Sequence, residues 1–223
     1  MNGANRLVDA VKEVVQEFNS SIDFAQAKIA KIYSHGSVTV CITSKLEWLD
    51  EAIFIPIWLA PFDPSTAIVV APCKASSYDF KTALKHILEK TAVKYKHMLE
   101  LSQEELKFVK EIESLGYQFR VRKFKEDKMN VFISINNDDI IVHVEAKLHG
   151  SKLAVSSINV SFADYTAFLS KRKEIVEYLK KNGIELNLTW LSGFEVKLQD
   201  TDTHESINIL RKIIEAVISI YLI

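Results

Sequence analysis

The sequence predicts an α+β protein made of two tandem units, each an antiparallel β-meander flanked by helices. Three observations predict it. Apolar residues recur at helical spacing in some windows and alternate strictly in others. The order helix, four short strands, helix runs through residues 3–99 and again through 102–182. Residues 184–222 then add two strands and a last helix. The chain has 223 residues, 48% hydrophobic and 26% charged, which suffices to bury the core of one large or two small domains. Only six Gly and four Pro are present, which argues against a long flexible linker. The expected units are residues 1–100 and 101–223.

The first helix is marked by Leu7, Val8, Val11, Val14, Val15 and Phe18 on one face and Asp9, Lys12, Glu13 and Glu17 on the other. From Phe24 the period shortens toward two through Ala25, Ala27 and Ile29, with a helical reading of residues 22–33 as the alternative. Ser34-His35-Gly36-Ser37 is a turn signal, and Val38, Val40 and Ile42 alternate with Thr39, Cys41 and Thr43 as a half-buried strand. Ile53–Leu59 is apolar on both faces and reads as a strand covered twice. Its Pro56 cannot donate to a ladder and points to an edge, a bulge or a sheet margin. Thr66–Pro72 is the next strand. Ser76 or Ser77 is the expected cap of a long helix carrying Phe80, Leu84, Ile87, Leu88, Thr91, Tyr95 and Met98 on one face.

The second unit opens on Ser102-Gln103-Glu104-Glu105, a capping box. Phe108, Val109, Ile112 and Leu115 follow, and Gly116 is a natural C-cap. Tyr117, Phe119 and Val121, then Val131, Ile133 and Ile135, then Ile140, Val142, Val144 and Ala146 each alternate with polar partners. With a strand near Lys152–Val160 they make a meander, turned at Lys125–Lys128, Asn136–Asp139 and His149–Ser151. Tyr165, Phe168, Leu169, Ile175, Val176 and Leu179 define one side of a helix stopped by Asn182-Gly183. Strands at Ile184–Leu188 and Phe194–Leu198 precede a last helix capped within Asp200–Thr203, with Ile207, Leu210, Ile214, Val217 and Tyr221 inward.

Lys plus Arg number 28 against 29 Asp plus Glu, so no global basic excess draws the chain to nucleic acid or an anionic membrane. No apolar run approaches the roughly 20 residues of a membrane helix. The N-terminus lacks the apolar core of a signal peptide. A soluble cytoplasmic protein is expected. Cys41 and Cys73 form no CxxC and read as buried strand residues rather than a bridge. None of the histidines His35, His86, His97, His143, His149 and His204 pairs at i,i+4, so no metal centre is expected. GxSxG, GxGxxG and GxxxxGK are absent, and no cofactor is expected.

The residues singled out are therefore those of a surface. Arg120, Arg122 and Lys123, with Lys125 and Lys128 beyond, form a basic run, and His143, Glu145 and Lys147 are expected on the same polar sheet face. Such a face suits an acidic segment or RNA, or is simply solvated. No aromatic is read on it, which counts against RNA. Trp48 marks either a binding surface or the cover of a core edge. Ile220 and Leu222, in the apolar stretch Ala216–Ile223, mark docking on the chain's own domain or on a second copy.

The order helix 104–115, meander 117–160, helix 165–181, strand pair 185–198 and helix 204–221 resembles the type III secretion chaperone-like fold, including the sensory-regulator domains built on it. The resemblance implies a non-enzymatic protein that binds protein segments, commonly as a dimer, and a tandem would imitate that dimer in one chain. Partner binding or self-association is the first expectation. An enzyme or small-ligand domain using Cys73, His35 and an acid in a pocket between the units is the second. RNA binding through Arg120 and Arg122 is the third.

Overall fold

The computed structural model describes residues 3–34, 37–59, 68–70, 80–189 and 192–222. The chain divides into two units, Met1–Glu100 and Leu101–Ile223. Both combine helices with an antiparallel sheet, so the α+β class read from the sequence holds. His35, Cys73, the Ser76/Ser77 cap, Trp190 and the side chain of Trp58 lie outside the described residues.

The N-terminal unit runs α1 (Gly3–Ser21), β1 (Ala25–Ile32), β2 (Val38–Ser44), β3 (Ala52–Leu59), β4 (Ile68–Val70), α2 (Phe80–Lys94) and α3 (Lys96–Leu99). The strands form a sheet in the order β1-β2-β3-β4. Val11, Val14 and Phe18 of α1 meet Val40, Ile42 and Ile57 of the sheet and Leu84 and Leu88 of α2 in one buried core. Lys81–Glu13 and Lys85–Glu17 ion pairs tie α2 to α1 at the surface. The helix expected through Met98 is interrupted at Tyr95, where a turn separates α2 from α3.

Two expectations about β3 are corrected. The strand is internal: it pairs with β2 along Ala52–Ile57 and with β4 from Ile57 to Leu59. Pro56 lies opposite Thr39 of β2 within the β2–β3 ladder. Nor is the strand covered on both faces. Ile55 and Ile57 are buried, whereas Phe54 on the other face is 62% exposed.

The C-terminal unit runs α4 (Gln103–Glu113), β5 (Gln118–Lys125), β6 (Lys128–Ile135), β7 (Ile140–His149), β8 (Lys152–Phe162), α5 (Tyr165–Lys181), β9 (Asn187–Thr189), β10 (Gly193–Asp202) and α6 (Thr203–Tyr221). Its six strands lie in the order β5-β6-β7-β8-β10-β9. The capping box forms as expected: Ser102 Oγ accepts from the Glu105 amide and Glu105 Oε2 accepts from the Ser102 amide at 2.7 Å. Asp164 and Asp202 cap α5 and α6 by accepting from Ala167 and Glu205 amides. Asn136, Asn137 and Asp138 take positive φ in the β6–β7 turn, the conformation these side chains tolerate.

The helices cover one face of this sheet. Phe162 of β8 stacks on Phe168 of α5 at 4.5 Å and packs against Tyr221 of α6 at 4.8 Å. Ile207, Leu210, Ile213, Ile214 and Val217 of α6 are buried, as are Phe108, Val109 and Ile112 of α4. On α5 the buried stripe is Phe168, Ile175 and Leu179, while Tyr165 and Leu169, expected beside them, are exposed. The strand expected over residues 184–188 shortens to Asn187–Thr189, with Ile184 buried ahead of it.

Candidate functional site

The face of the C-terminal sheet opposite the helices gathers most of the polar residues that the sequence singles out. Alternation decides which side chains reach it. Along β5–β7, Val121, Met129, Val131, Ile133, Val142 and Val144 point inward and are buried. Their neighbours point the other way and fall into cross-strand rows. One row runs Arg120, Phe132, His143, Asn159, Glu195. The next runs Arg122, Asn130, Glu145, Ser157, Lys197. A third places Lys125, Lys128 and Lys147 side by side. Lys125 reaches this face because a register shift between Lys123 and Lys125 resets the phase of β5.

The rows are bonded internally. The Phe132 and His143 rings stack 4.6 Å apart and within 5° of parallel. The Arg122 guanidinium lies 5.8 Å from the centre of the Phe132 ring. His143 Nε2 is 3.0 Å from Asn130 Oδ1, an acceptor, which asks for a proton on Nε2. Burial pulls the His143 pKa below its ordinary value, and the nearby Glu145 carboxylate opposes that only in part. His143 therefore acts as a neutral ring near pH 7, and the positive charge of the face comes from arginine and lysine. Arg120, Arg122, Lys125 and Lys128 are exposed and Lys147 is half-buried. Among the described residues, Arg120, Lys125, Lys128 and Lys147 have no carboxylate partner.

Comparison with known protein families, curated proteins and solved structures finds no match to this chain.

Two expectations change. Phe132 is an aromatic on the polar face, where none was read. The signal was its phase, shared with Asn130 and Ser134 and opposite to Val131 and Ile133. Its ring is nonetheless a poor platform for a base, because His143 and Arg122 approach it from the strands on either side. Lys123 is not part of the surface. It occupies the inward phase, is 4% exposed and pairs with the buried Glu105. Ile220, in α6, is half-buried and Leu222, just beyond it, is 38% exposed. Trp48 lies half-buried in the β2–β3 connection of the N-terminal unit.

Elsewhere, Cys41 is a free, buried thiol whose pKa burial raises. Among the described residues no three His, Cys, Asp or Glu side chains converge as metal ligands, and no helix is long and apolar enough to cross a membrane. A cleft of about 660 Å³ lies between the end of α5 and β10, with Lys180, Glu185, Asn187 and Lys197 on its walls.

Proposed function

We propose that this chain is a non-enzymatic, adaptor- or chaperone-like protein that docks a protein partner on the helix-free sheet face of its C-terminal unit. The observation that carries the reading is the row Arg120–Phe132–His143–Asn159–Glu195, which crosses five strands and puts arginine, aromatic, imidazole, amide and carboxylate groups on one accessible surface. Arg and aromatic side chains are the groups that contribute most at protein interfaces. Stacking and the Asn130 hydrogen bond hold the central groups in place before binding, which lowers the ordering cost. The element order of the unit, which resembles the type III secretion chaperone-like fold, points the same way.

A photo-crosslinking amino acid placed at Asn159 tests this in the source cell, with the same probe at Lys173 on α5 as control. Protein adducts at Asn159 and none at Lys173 are expected. Absence of protein adducts at Asn159, or adducts that nuclease removes, would sink the reading. A small-ligand reading rests on the 660 Å³ cleft beside Lys180 and Lys197; a thermal shift with an anionic metabolite panel, lost in Lys197→Gln, is its test.

A further inference from the structure

We infer that the partner's docking segment is a run of carboxylates, and that the lysine row Lys125–Lys128–Lys147 with Arg122 and Arg120 is its anchor. This rests on the partner-binding reading above and names the chemistry of the partner. Cross-strand neighbours of like charge destabilise a sheet. Here Lys128 faces Lys125 on one side and Lys147 on the other, so three ammonium groups share a row spanning about 10 Å. Ala154, next to Lys147 in the same register, adds no carboxylate to offset them. Arg122 extends the positive corner one row inward and Arg120 two rows.

Charge complementarity selects an acidic occupant, and the extent of the patch selects a short protein segment over a nucleic acid. The cation cluster lies on β5–β7; beyond it Lys152 begins β8, and Lys197 of β10 is paired with Glu195. Glu145 borders them within the sheet, Glu195 lies further along it, and Glu126 and Asp127 form the hairpin tip. A phosphate backbone leaving the corner across the sheet would meet these carboxylates. The Phe132 ring, flanked by His143 and Arg122, offers no free face for a base. A few consecutive Glu or Asp side chains match the corner without leaving it.

Fluorescence anisotropy with a labelled deca-glutamate peptide, and with a labelled decauridylate, tests the inference on the full chain. The triple variant Lys125→Gln/Lys128→Gln/Lys147→Gln is compared with Lys171→Gln/Lys173→Gln/Lys180→Gln, which removes the same charge from α5. The expected result is peptide binding that weakens about ten- to hundredfold in the first variant and stays within about twofold in the second. The first variant should also melt at or above wild type, since it relieves like-charge repulsion. Failure of the peptide to bind, equal losses in both variants, or tighter binding of decauridylate that the first variant abolishes would each overturn the inference. If protein adducts at Asn159 persist in that event, the partner-binding reading survives without the acidic segment. If they too are absent, both fall.

Discussion

Lys123 and Glu105 form a buried ion pair in the C-terminal unit: Lys123 Nζ lies 3.0 Å from both carboxylate oxygens, and the two side chains are 5% and 1% exposed. The pair joins β5 to the first turn of α4, because Glu105 is also the residue that closes the capping box on Ser102. Glu105 Oε1 has charge contact but no hydrogen bond. Removing the lysine strands a carboxylate in the core. Lys123→Met is expected to cost about 3–5 kcal/mol in urea denaturation. Lys123→Met/Glu105→Gln, which keeps an acceptor for the Ser102 amide, should recover to within about 2 kcal/mol of wild type. A double variant as unstable as the single one would show that the ion pair is not the source of the loss.

The His143 ring gives stability a pH dependence of defined sign. Its pKa lies below the ordinary 6.5 because burial disfavours the charged ring. The unfolded chain therefore binds the proton first as pH falls. Stability drops as pH descends from about 6.5 through the lowered folded value, and above 6.5 this group contributes no slope. Stability compared between pH 7 and pH 5 should fall more in wild type than in His143→Gln. An identical slope in the two proteins would refute the assignment.

How far the sequence was legible follows from parity. Alternation of apolar residues correctly marked β5–β8 as a meander, and the Ser102–Glu105 spacing correctly marked the start of α4. The basic run Arg120, Arg122, Lys123 was read by proximity along the chain, and that misplaced Lys123. In a strand, neighbours point to opposite faces, so Lys123 belongs with Val121 inside. The same rule places Phe132 outside with Asn130 and Ser134. The third row was harder to see, since the register shift after Lys123 is invisible in composition. Pro56 misled for a different reason: a proline opposite Thr39 of β2 does not make β3 an edge, since β4 pairs on its other side at Ile57–Leu59.

Gly193 is required by close approach. A Cβ built there would lie 1.8 Å from the Val160 carbonyl oxygen, a backbone atom that cannot rotate away. Gly193 pairs with Ser161 of β8 on one side and Thr189 of β9 on the other. Gly193→Ala should therefore push β10 from β8 locally and lower stability by about 1–3 kcal/mol or more. Faster amide exchange at Phe162, whose N–H donates to Ser192 at 2.9 Å, is the local readout. Unchanged exchange and an unchanged melt would remove the steric argument.

Asn19, near the end of α1, acts as a substitute strand for the outer edge of β1. Its Nδ2 donates to the Ala27 carbonyl at 2.9 Å, and its Oδ1 accepts from the Ala27 amide at 2.6 Å. β1 ends the sheet order, so among the described residues Ala27 has no strand partner on that side. Asn19→Ala leaves both backbone groups to water or unpaired, at an expected cost of about 1–3 kcal/mol. Asn19→Asp separates the two bonds. The carboxylate still accepts from the Ala27 amide but faces the Ala27 carbonyl without a donor. Exchange at the Ala27 amide should rise in Asn19→Ala and stay near wild type in Asn19→Asp, while both variants lose stability. If exchange at Ala27 were the same in all three proteins, the edge of β1 would be protected by something other than this side chain.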